Sequence, residues 1–201
     1  ADIEIKDATF QSWAIIGGLF VGSDNATTID TYQNCSNSGN ISVASNATIP
    51  NSLHIAGCGG HSLTINELMD NVDNSGSITV GDNIALNGYL AIAGIARSIT
   101  NHGEVKNCNN SGAINVGKCS NVTTGNGGRL YLGGLFYQAM GGTFTNCVNE
   151  ATGDITIKTG DWASRHIVGG WAAYFSYTST KLTTLVNCEN KGDVIDIPAD
   201  G

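Results

Sequence analysis

Asn107-Cys108-Asn109-Asn110-Ser111-Gly112-Ala113-Ile114-Asn115-Val116 decides the fold, because its pattern, Asn-Cys-x-Asn-x-Gly-x-Ile-x-Val, returns along the whole chain. Upstream it occurs as Asn34-Cys35-Ser36-Asn37-Ser38-Gly39-Asn40-Ile41-Ser42-Val43 and as Asn71-Val72-Asp73-Asn74-Ser75-Gly76-Ser77-Ile78-Thr79-Val80. Downstream, Asn146-Cys147-Val148-Asn149 carries two extra residues before Gly153, and Asn187-Cys188-Glu189-Asn190 leads through Gly192 to Val194 and Ile197. The first asparagines are 37, 36, 39 and 41 residues apart. Self-similarity at such a period is the signature of a repeat architecture in which each unit buries its apolar face against the next.

Between these copies lies a second repeated segment, an alternating apolar run closed by small residues. Its copies are Ala14-Ile15-Ile16-Gly17-Gly18, Leu53-His54-Ile55-Ala56-Gly57, Leu90-Ala91-Ile92-Ala93-Gly94, Leu130-Tyr131-Leu132-Gly133-Gly134 and His166-Ile167-Val168-Gly169-Gly170. Their last glycines are 39, 37, 40 and 36 residues apart, so both motifs share one period. Ile-x-Val and Leu-x-Ile each set two apolar residues on one side of an extended strand. With a third short strand before each asparagine pair, one repeat makes one coil, and the chain is expected to form an all-β parallel β-helix (β-solenoid) of about five coils.

Stacking explains the asparagines. Asn37, Asn74, Asn110, Asn149 and Asn190 hold one repeat position, where an amide can bond both the local turn and its counterpart in the next coil. They are expected to form a structural ladder. Gly39, Gly76, Gly112, Gly153 and Gly192 are expected to supply a positive-φ turn. The stretches between the two motifs hold 9, 9, 13 and 8 residues in successive repeats, and as insertions they would line up as loops along one face. Residues 1–201 read as a single β-solenoid repeat domain. Asp2-Ile3-Glu4-Ile5 matches Asn40-Ile41-Ser42-Val43, so the chain starts inside a repeat and reads as a piece of a longer array with additional repeats or domains, or as a mature chain whose upstream residues were removed.

Composition narrows the function. Nine Lys plus Arg against 17 Asp plus Glu give a net charge of −8, and no basic run exists, which argues against a nucleic-acid groove. Only 13% of residues are charged, while 27 are glycine and 22 asparagine, both poor in helix interiors. No apolar run is long enough for a membrane span.

Cys35, Cys108, Cys147 and Cys188 share a repeat position with Val72, the behaviour of a small buried hydrophobe, so they read as a column of free thiols. A bridge between Cys108 and Cys147 is the alternative, although parallel stacked side chains seldom have disulfide geometry. Cys58 is expected to point inward, while Cys119 sits in the longest insertion. His54 occupies an outward position and is expected to be solvated, and His166 takes the place of Leu53, Leu90 and Leu130. An enzyme would have to use carboxylates, Asp24 with Asp30 or Asp70, Asp73 and Asp82, on a polysaccharide. Each also has a plain turn or surface role, and no catalytic residue is assigned. No cofactor is expected, with calcium on loop oxygens the one possibility, since no twelve-residue calcium loop is present. Two aromatic residues are candidate ligand contacts: Trp162, in the segment from Lys158 to Arg165, and Tyr131, expected to face outward from its strand. Trp13, Trp171, Phe136 and Tyr174 either fill the core or cover a neighbouring coil.

The run Asn107-Cys108-Asn109-Asn110-Ser111-Gly112, followed by Tyr131-Leu132-Gly133-Gly134-Leu135, resembles the GLUG-like repeats of secreted or surface adhesin-like proteins of Bacteroidetes. That resemblance covers nearly the whole chain. It implies a right-handed parallel β-helix within a longer exported protein, an extracellular or outer-surface module that presents stacked loops to a glycan or a host or cell-surface protein. Two alternatives remain open: a structural stalk or spacer, and a polysaccharide-active β-helix enzyme.

Overall fold

A computed structural model describes residues 1–6, 10, 12–21, 27–121, 129–158, 166–176 and 182–197. Their regular structure is all β, every paired strand is parallel, and like residues lie over like residues. The Ile-x-Val segments build a six-stranded sheet from Ile3–Ile5, Ile41–Val43, Ile78–Val80, Ile114–Val116, Ile155–Lys158 and Val194–Ile197. The Leu-x-Ile segments build a five-stranded sheet from Ala14–Gly17, Leu53–Ala56, Tyr89–Ala93, Arg129–Gly133 and His166–Gly169, so four turns of chain separate its first row from its last. A long sheet holds Thr27–Asn37 and Gly59–Asn74, followed by rows broken into shorter strands such as Ala96–Asn101, Glu104–Lys106 and Asn109–Asn110. Among the described residues no helix is long and apolar enough to cross a membrane.

Two results differ from the sequence reading. The stretches expected to project as loops instead contribute Thr48–Ile49, Ile84–Leu86 and Cys119–Asn121 to a fourth, three-stranded sheet. Ile49, Ile84, Leu86 and Cys119 point into the core from it, so their apolar side chains hold these stretches in the wall. Residues 122–128 and 159–165, the remainder of two such stretches, lie outside the described residues, and Trp162 with them.

The second difference concerns the turns. Positive φ belongs to the first asparagine of each motif, with Asn34, Asn71, Asn107, Asn146 and Asn187 between 51° and 54°. Asparagine tolerates this left-handed conformation better than other residues with a side chain. The motif glycines are needed for another reason. A Cβ on Gly76 would collide with the carbonyl oxygen of Gly39 in the turn below, so close stacking, and not φ, excludes a side chain there.

The interior divides into two dry cores. One holds Ile41, Val43, Leu53, Ile55 and their counterparts, and the other holds Cys58, Leu63, Ile65, Met69, Val72 and theirs. Full burial of each such Leu or Ile contributes roughly 1.5–3 kcal/mol. The chain crosses between the cores twice per turn, outward at Gly57 and Gly94 and back at Asn74 and Asn110. There the expected ladder forms: Nδ2 of Asn37 donates to Asn74 Oδ1 at 2.9 Å, and the same bond recurs from Asn74 to Asn110, Asn110 to Asn149 and Asn149 to Asn190 at 2.8 Å each. The second amide hydrogen goes to a backbone carbonyl of its own turn, Gly76 for Asn74 and Gly112 for Asn110. Asn74, Asn110 and Asn149 are almost fully buried, which a chain of satisfied amides permits. A Cβ on Gly94 would run into the Asn110 amide, so the amide column fixes the glycine opposite it.

The cysteine column forms as expected. Cys35 pairs in register with Val72, the thiols of Cys108 and Cys147 are fully buried, and all six cysteines are free. Cys58 points into the second core, and Cys119 is buried in the first.

Candidate ligand-contact furrow

The Leu-x-Ile sheet passes into the long sheet through the glycine crossings, and outward side chains of the two sheets come into contact there. Alternation along Leu53–Ala56 and Arg129–Gly133 puts Leu53, Ile55, Leu130 and Leu132 in the core, which turns His54 and Tyr131 the other way. From the long sheet come His61, Arg97 and Tyr137. A register shift between Ala96 and Ser98 lies beside Arg97, where bulges commonly re-aim a side chain. Trp13 and Tyr89 stand one residue before the Leu-x-Ile alternation and complete the lining.

These side chains form one continuous track up the stack. Ring centroids are 5.3 Å apart for Trp13 and His54, 5.0 Å for His54 and Tyr89, 5.8 Å for Tyr89 and Tyr131, and 4.8 Å for Tyr131 and Tyr137. His61 lies 5.8 Å from His54. The Arg97 guanidinium sits over two rings, 6.0 Å from that of Tyr89 and 5.6 Å from that of Tyr137. It donates to Ser62 Oγ at 2.9 Å and to the Tyr89 hydroxyl at 3.1 Å. Arg129 donates to the Tyr131 hydroxyl at 3.4 Å. At the lower end Ser12, Trp13, Ile15 and His61 line a cleft of about 540 Å³, within the size range of small-ligand sites.

Contact between outward side chains of the two sheets corrects two expectations. His54 does point outward, but it is fully buried rather than solvated, because Trp13, Tyr89 and His61 close over it. Burial first, then the positive charge of Arg97 and the neighbouring His61, lower its pKa to about 3, so its imidazole is neutral at physiological pH. Tyr131 likewise faces away from the core yet is only 7% exposed, a link inside the track rather than a free contact. The exposed platform is Trp13, 47% accessible at the rim. Burial also pushes the Tyr137 hydroxyl up to about 12, which leaves it a neutral hydrogen-bonding group.

Other candidate chemistry is taken up structurally. Asp30 accepts from Asn66, Asp70 from Asn107, and Asp73 from the backbone and side chain of Asn109, all across neighbouring turns. Asp82 lies beyond the Ile-x-Val sheet, accepting from the Lys118 backbone and pairing with Lys158 at 3.1 Å, which lowers its pKa. Asp24 lies outside the described residues. Burial pushes the Cys58 and Cys119 thiols up to about 12, and the hydrogen bond with Cys108 raises that of Cys147, so none of the three presents a thiolate at neutral pH. Among the described residues no three His, Cys, Asp or Glu side chains cluster to hold a metal. Trp171 caps the second core, donating from Nε1 to the Cys147 carbonyl at 2.8 Å, and Phe136 fills that core. Tyr174 is 44% exposed, and His166 takes its expected place over Leu130.

Sequence reasoning missed Tyr89, His61, Arg97 and Tyr137. One signal was available: Trp13, Tyr89 and Arg129 share the position just before the Leu-x-Ile run, where an unbranched polar residue would suffice for a solvated strand end. No family model, no curated protein and no solved structure matches the chain.

Proposed function

We propose that this β-solenoid is a binding module of an exported, adhesin-like repeat protein, and that the furrow takes a glycan or a segment of a host or cell-surface protein. One observation carries the reading: a ring track continuous over four rows, with Trp13 half exposed at its rim beside the cleft. A purely structural spacer has no need to gather Trp13, Tyr89, Tyr131 and Tyr137 on one outer corner, and aromatic faces with a few fixed polar groups are how sugars and protein anchors are commonly held. The motif resemblance and the lysine-poor, asparagine-rich composition support placement outside the cell.

A stalk is the second reading, favoured by the amide column, which runs unchanged from turn to turn as a spacer requires. A glycan and matrix-protein array separates the two. The binding reading expects specific retention that is lost in Trp13→Ala, with Trp162→Ala testing the segment outside the described residues. Retention of no ligand leaves the spacer, and specific retention unchanged in both variants rejects the furrow as the contact surface.

A further inference from the structure

The furrow concentrates positive charge in an acidic protein. Carboxylates outnumber Lys and Arg by 17 to 9, and Lys6, Lys106, Lys158 and Lys191 each lie within 3.3 Å of one. Arg97 and Arg129 pair with none among the described residues; their contacts are hydroxyls and rings. Both are partly buried, and the Nε–H of each is buried without a hydrogen-bond partner among the described residues. A guanidinium carries five N–H donors in a planar fork, and Arg97 uses two of its nitrogens on Ser62 and Tyr89. Desolvated cations are costly without a counter-charge, and their attraction to an arriving anion is correspondingly strong. The contacts to Ser62, Tyr89 and Tyr137 hold the guanidinium in place before any ligand arrives.

We propose, building on the furrow as the binding surface, that its ligand is an acidic saccharide whose carboxylate pairs with Arg97 while the sugar ring packs against Trp13 and Tyr89. The carboxylate is matched by the planar fork of arginine, which bonds both oxygens of such a group. The sugar is matched by the exposed ring of Trp13 with the half-buried Tyr89 beside it, and the neutral, buried His54 between them adds no competing charge. Since the net charge of −8 repels a polyanion at long range, selectivity comes from this local pair. Arg129, bonded to Tyr131 in the same track, offers a second position for a longer chain.

The test is calorimetric titration of the intact chain with oligosaccharides of galacturonate, glucuronate and mannuronate, each beside its carboxyl-reduced counterpart, which keeps the ring and loses the charge. At least one acid series is expected to bind about tenfold or more tightly than its reduced form, the ratio of one charge-assisted contact. In Arg97→Gln the acid and reduced forms are expected to bind alike, and Arg97→Lys restores part of the ratio. The ratio on the wild-type chain is read even if a variant unfolds. Equal binding of acid and reduced forms overturns the acidic-ligand proposal but leaves the glycan-binding reading in place. Tight binding of the reduced sugars alone does the same, as does equal capture of a glutamate-rich peptide. Binding of neither series, together with no retention on the glycan and protein array, removes both.

Discussion

Replacing His54 by Phe removes the one fully buried imidazole and makes the acid sensitivity of the fold measurable. In the native furrow its pKa is lowered to about 3 by burial, aided by Arg97 and His61, whereas an unfolded histidine titrates near 6.5. Above pH 6.5 both states are neutral at this site and it contributes no pH dependence. As pH falls below 6.5 the unfolded chain takes up a proton that the folded chain refuses, so stability is lost progressively until about pH 3. At pH 5 the unfolded site is favoured by about one and a half pH units, or about 2 kcal/mol at 1.4 kcal/mol per unit. With a urea dependence on the order of 2 kcal/mol per molar, the wild-type midpoint should fall about 1 M further than that of His54→Phe between pH 7.5 and 5.0. Phe keeps an aromatic ring against Trp13 and Tyr89, so its own packing cost is the same at both pH values and cancels in the difference. Urea titrations of both proteins at the two pH values supply the four midpoints. Parallel shifts in wild type and variant would refute the reasoning, because they would show His54 protonating as freely in the folded state as in the unfolded one.

Other consequences concern the stack itself. Asn110→Ala should cost about 3–5 kcal/mol in chemical unfolding, since Asn149 Oδ1, the Gly112 carbonyl and the Asn74 amide each lose a buried partner. Asn190→Ala, at the exposed last row, should cost at least about 2 kcal/mol less, and equal losses would contradict a column that is buried in the middle. Gly94→Ala should destabilise by about 3 kcal/mol, because its methyl meets the Gly134 carbonyl and the Asn110 amide; an unchanged melting temperature would show a looser crossing. Val72→Cys, which extends the thiol column between Cys35 and Cys108, should change stability by less than about 1 kcal/mol in the same assay.

The repeat was legible because stacking imposes identity at particular places. Asn110 must match Asn74 and Asn149 to pass on its hydrogen bonds, and Ile114 must match Ile78 and Ile155 to share one core. Those constraints act between like positions, so they appear as periodicity. What stayed hidden depends on unlike positions meeting. His54 and Tyr131 read correctly as outward, yet their burial required knowing that side chains of the long sheet come into contact with them. The pairing of Arg97 with Tyr89 joins residues of two sheets that no period relates, whereas Tyr137 is the counterpart of Arg97 in the next row. Ile49, Ile84 and Cys119 were misread as parts of insertions because two- and three-residue strands give too short an alternation to detect. The conformational demand was also misassigned, to Gly76 instead of Asn71, since sequence alone does not distinguish a residue that needs φ above zero from one that has no room for a side chain.

Hydrogen exchange of asparagine side-chain amides, followed by NMR in deuterated buffer, tests the amide column most directly. The amides of Asn74, Asn110 and Asn149, buried and bonded from turn to turn, are expected to persist as long as the core backbone amides. Those of Asn71, Asn107 and Asn146, bonded on the exposed side, should exchange far sooner. If both sets vanished together at the fast rate, no closed amide column would run through the molecule, and the register that assembles the furrow would lose its support.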